Sequence, residues 1–124
     1  MNINIKSIQD NGDLDNERVI LKCLSDDDIG HYVLFDTTYN QEGSITNKMR
    51  HPYWFPDKKI KKGELVVLYT KIGVNKTVLK KSGITVHFMY RDLEKTIWNK
   101  DGDCAVLMDI REWDYVIVDE NKDI

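Results

Sequence analysis

Short apolar and β-branched runs, separated by turn-forming residues, recur along the whole chain. Ile3, Ile5 and Ile8 mark a first strand that ends at Asp10-Asn11-Gly12-Asp13, where Asn-Gly favours positive φ and a turn. Arg18 to Leu24 is a stronger strand, and Ser25-Asp26-Asp27-Asp28 after it reads as a plain charged corner. His31 to Phe35 runs on towards Thr37-Thr38-Tyr39 with residues suited to a pleated, half-buried surface. A polar loop spans Asn40 to Arg50. In His51-Pro52-Tyr53-Trp54-Phe55-Pro56 two prolines bracket three aromatics, which predicts an edge segment plugging the core. Gly63 introduces the clearest strand, Glu64 to Thr70, and Lys71 to Gly83 reads as an excursion with turn signals at Gly73 and Ser82-Gly83. Ile84 to Tyr90 alternates strongly, and Trp98, Cys104 to Met108 and Tyr115 to Val118 are expected to supply the last strands.

No segment keeps a helical apolar period for more than two turns, so the expected fold is all-β, a sandwich or barrel of about eight short strands. A chain of 124 residues holds one core and is expected to form one domain over 1–124. Its net charge of −3 gives no general attraction to nucleic acid, and no apolar run is long enough to span a membrane. The N-terminus lacks a secretion signal, so a cytoplasmic location is expected, with Cys23 and Cys104 as free thiols.

The stretch Ile97-Trp98-Asn99-Lys100-Asp101-Gly102-Asp103-Cys104 reads as a hairpin corner. Gly102 accepts positive φ at no steric cost, while Asn99 and Asp101 can bond their own backbone. A calcium loop would need its glycine sixth, and cysteine stands there instead. From Ile97 to Asp109 the chain resembles the tryptophan-asparagine, glycine-aspartate, leucine and aspartate signature of lamin-tail domains, which are immunoglobulin-like β-sandwiches. A second block agrees in order: Phe55-Pro56, Ile60, Gly63-Glu64 and Val66 to Tyr69. The resemblance covers about 17–118, with His31 where the family has tryptophan and Lys62 where proline is common. It implies an immunoglobulin-like sandwich with Trp98 between its sheets. It also implies a binding module, since the family's domains serve as such and bring no catalytic residues, metal or cofactor to transfer.

Three functional expectations follow. The leading one is a non-enzymatic module that recognises a protein partner through an edge or loop. A second is a small hydrolase or metal-dependent enzyme whose polar groups, among them His31, His51 and His87, cluster at one end of the sandwich. Converging carboxylates and histidines in a pocket would favour it; an exposed apolar patch would favour the first. The third is a nucleic-acid face built from Lys58, Lys59, Lys61 and Lys62, joined by Lys76, Lys80 and Lys81, with Tyr53, Trp54 and Phe55 to stack on bases. Lysines flanking an edge also block strand-to-strand aggregation, so only weak binding is expected there.

Overall fold

The computed structural model describes residues 1–99 and 102–118. Lys100 and Asp101 of the expected corner lie outside the described residues. Among the described residues ten strands form: β1 (Ile3–Gln9), β2 (Arg18–Cys23), β3 (Asp27–Asp28), β4 (Tyr32–Thr38), β5 (Arg50–Trp54), β6 (Lys59–Ile60), β7 (Leu65–Tyr69), β8 (Lys76–Leu79), β9 (Thr85–Tyr90) and β10 (Asp103–Asp109). They make a five-stranded sheet ordered β1-β2-β7-β9-β8, a three-stranded sheet ordered β10-β4-β5 and a small β3-β6 pair. The fold is all-β, and no helix among the described residues is long and apolar enough to cross a membrane.

Alternation decides which side chains go inward. Val19, Leu21 and Cys23 of β2, Val66 and Leu68 of β7, and Met89 of β9 meet Tyr32 and Leu34 of β4 and Leu107 of β10 in one core. Both larger sheets therefore bury their apolar faces in the same cluster. Trp98 belongs to it at 4% exposure, although it lies between β9 and β10 and not in a strand. In β1 the spacing of Ile5 and Ile8 would put them on opposite faces of a regular strand. A register shift between Ile5 and Ser7 realigns them, so both pack on the core.

Three local expectations change. The excursion after Lys71 contains β8, which pairs with β9 on the outside of the sheet. β9 stands between β7 and β8 and pairs with β7 in parallel. Tyr115 to Val118 joins no strand and is exposed, because no described edge takes it up. The Ser25–Asp28 corner is more than a charged turn: Asp27 and Asp28 pair with β6, and the Asp27 side chain is enclosed. β5 stands at a sheet edge, as Pro52 requires.

Candidate functional site

The basic stretch is strapped to acid. Backbone N–H groups of Lys58 and Lys62 donate to the carboxylates of Asp28 (2.9 Å) and Asp26 (2.7 Å), and that of Lys61 donates to Glu64 (2.9 Å). The side chains of Lys58, Lys59, Lys61 and Lys62 are exposed while Ile60 between them is buried. Carboxylates thus interleave with the lysines and prevent a field of one sign. Tyr53 and Phe55 point inward and meet edge to face at 5.0 Å. Pro56 is exposed, and Gly63, with φ of 90°, turns the chain into β7 while its N–H donates to the Cys23 carbonyl.

Trp54 faces the other way, half exposed, with its Nε1 donating to the Gly30 carbonyl (2.8 Å). Trp113 meets it edge to face at 4.8 Å, and Tyr115 lies 6.0 Å beyond. From there Tyr115, Val116, Ile117 and Val118 run on at 73 to 95% exposure. Edge strand and C-terminal segment together present a continuous apolar surface, of the kind that marks a protein contact.

At the other end of β4 is a polar cleft of about 590 Å³ whose lining includes Asp36, Arg50, His51, Trp98 and Asp103. Its origin is local. Asp36 continues the inward row of Tyr32 and Leu34, so its carboxylate is enclosed and needs donors. Pro52 cannot donate to the β4-β5 ladder, and the register shifts between Leu34 and Asp36. His51 there takes a left-handed φ of 48°, a strained conformation for a non-glycine residue. The result sets His51 Nδ1 2.7 Å from Asp36 Oδ1, with Arg50 Nε 3.2 Å from Oδ2 and Arg50 Nη2 2.6 Å from Asp103. A carboxylate only accepts, so His51 Nδ1 carries the shared proton, while Nε2 is bonded by no described residue.

Two buried groups stiffen this end. Glu17, fully buried, accepts from Thr70 Oγ1 (2.6 Å) and from the N–H groups of Gly12 (2.9 Å), Ile97 (3.1 Å) and Trp98 (3.4 Å). Arg91 donates to the His51 carbonyl; burial pushes its guanidinium below the usual value, against the pull of Asp36. Gly102, with φ of 91°, turns the chain into β10, and Asp103 accepts from the Asn99 N–H at 3.0 Å. Neither Asp36 with His51 nor Glu17 stands out in the sequence, since no motif spacing joins them.

A second polar cluster lies around Asp27, which accepts from the Tyr32 hydroxyl (2.7 Å), the Asp28 N–H (2.8 Å), Asn2 Nδ2 (3.2 Å) and Arg111. Burial raises the pKa of Asp27, but these donors outweigh it and hold the carboxyl far below its usual range. The three histidines do not converge: His31 sits with Asp27, His51 with Asp36, and His87 with Glu64 and Thr77. Among the described residues no group of three or more His, Cys, Asp or Glu is placed to hold a metal ion. No protein-family model, curated protein or solved structure matches the chain.

Proposed function

We propose that this chain is a non-enzymatic binding module, an immunoglobulin-like β-sandwich resembling a stand-alone lamin-tail domain, and that its partner is a protein. The shared core of the two larger sheets, with Trp98 inside it, supports the sandwich. The parallel β7-β9 pair is a departure from an antiparallel sandwich. The observation that carries the function is the exposed apolar surface from Trp54 through Trp113 to Val118, which no described residue covers. Affinity capture from the native cell with the wild-type chain and with Trp113→Ala/Tyr115→Ala tests it. A partner protein retained by the first and lost by the second is expected. Equal capture by both would move the site elsewhere.

The Asp36–His51 pair favours a second reading, a small hydrolase in which His51 Nε2 takes a proton from water. Turnover of simple esters or phosphoesters that disappears in His51→Ala would put this reading first. The Lys58–Lys62 face has weaker support as a nucleic-acid site, because Asp26, Asp28 and Glu64 are bound to the same segment.

A further inference from the structure

A second apolar surface surrounds β8. Ile72, Val74 and Leu79 are 63, 84 and 72% exposed there, beside Ile84 at 43%. β8 is an edge strand, so one row of its backbone N–H and C=O groups has no partner strand among the described residues. Thr77 and Leu79 pair with His87 and Thr85 and share the side of the sheet that faces the core. Lys76 and Val78 pair with Phe88 and Val86 on the outer side. The ammonium groups of Lys76 and Lys80 lie over the Phe88 ring, at 5.8 and 5.2 Å, and neither makes an ion pair among the described residues. The edge is apolar and basic.

The segment from Glu112 to Val118 has the complementary character. Tyr, Val and Ile are the residues that suit strands, and the run is already free of any strand in its own chain. Drawn out as a strand, it puts Trp113, Tyr115 and Ile117 on one face and Glu112, Asp114, Val116 and Val118 on the other. Glu112 and Asp114 make no ion pair among the described residues. The other edges of the two larger sheets fit less well: β1 carries a single lysine, Lys6, and a register shift between Ile5 and Ser7, β5 contains Pro52, and β10 begins and ends on Asp103 and Asp109.

We propose that the Trp113–Val118 segment of one copy adds to the free edge of β8 in a second copy. This rests on the protein-partner reading above and makes the partner another molecule of the same chain. The added strand uses the unpaired backbone of β8 for its main-chain bonds. Its acidic face then lies along Lys76 and Lys80 with a valine against Val78, while its aromatic face continues the row of Thr77 and Leu79. Reciprocal exchange closes the pair into a two-fold dimer.

Sedimentation velocity over a concentration series, with circular dichroism to establish that each variant is folded, tests this. The wild-type chain is expected to double its mass with rising concentration. Lys76→Glu/Lys80→Glu and Glu112→Lys/Asp114→Lys are each expected to stay monomeric alone. Mixed together, the two variants should associate again, because the reversed segment of one now meets the reversed edge of the other. A wild-type chain that stays monomeric, variants that still self-associate, or a mixture that does not associate would overturn the inference; the lysines would then serve only to guard the edge. A monomeric chain that nevertheless captures a different protein through Trp113 and Tyr115 would refute this inference and leave the proposed function standing. If it captures none, both fall.

Discussion

Replacing Trp98 separates two contributions that the structure places in one side chain. The ring is 4% exposed inside the shared core, yet its Nε1 is buried with no hydrogen-bond partner among the described residues. A tryptophan buries about 200 Å², which at about 25 cal/mol per Å² corresponds to roughly 5 kcal/mol of hydrophobic stabilisation. The unpaired N–H works against this by about 1 to 3 kcal/mol. Trp98→Ala, which loses the ring and opens a cavity, is therefore expected to cost about 3 to 5 kcal/mol, a large part of the stability of a domain this size. Trp98→Phe gives up some area but removes the unpaired donor, and is expected to stay within about 1 kcal/mol of wild type. Urea denaturation followed by far-UV circular dichroism measures both without relying on the deleted fluorophore. A loss below about 1 kcal/mol for Trp98→Ala would place the ring at the surface. A Trp98→Phe variant as damaged as Trp98→Ala would mean that the N–H is bonded after all.

Two further outcomes are expected. The folded-state pKa of Asp27 is depressed, so its contribution is fully present above the unfolded carboxylate value near pH 4 and fades as pH falls towards the folded value. Asp27→Asn should thus cost about 1.5 to 3 kcal/mol at pH 7, the range for hydrogen bonds to a charged group, because Arg111 is exposed and keeps Asp109, and progressively less on acidification; denaturation midpoints from pH 7 to pH 2 would show the two curves converging, and a constant gap would refute the assignment. Replacing Lys58, Lys59, Lys61 and Lys62 by Gln should change stability by less than about 0.5 kcal/mol, since all four side chains are exposed. Any association with single- or double-stranded nucleic acid should be weak and erased by salt, and submicromolar binding at physiological ionic strength, lost in the fourfold variant, would reverse that.

The sequence reveals elements where a strand carries its own signal. Leu65 to Tyr69 is an apolar run opened by a glycine, and Thr85 to Tyr90 alternates, so both are legible without partners. Lys76 to Leu79 is not, because four mostly exposed residues become a strand only when β9 offers them an edge. Tyr115 to Val118 shows the converse, full strand propensity with no edge to satisfy it. The candidate sites depend still more on partners remote in sequence. Three consecutive aspartates announce a charged corner, but Arg111 and Tyr32 decide that Asp27 is the one enclosed. Asp36 and His51 meet through a register shift that neither residue encodes alone.

The parallel pairing of β7 with β9 also makes the centre of the larger sheet depend on a contact distant in the chain. β7 can join β2 as an antiparallel neighbour as soon as the chain has reached Tyr69, but its other edge must wait until Thr85 to Tyr90 has passed beyond β8 and come back. During that interval Val66, Val67 and Leu68 stand at an open edge with their backbone groups unpaired. Any segment that docks there early, β8 included, has to leave before β9 can enter. Non-local parallel pairing of this kind is intrinsically slow and leaves a strand edge open while it forms, which makes the β7-β9 crossover the part of this topology most demanding to assemble.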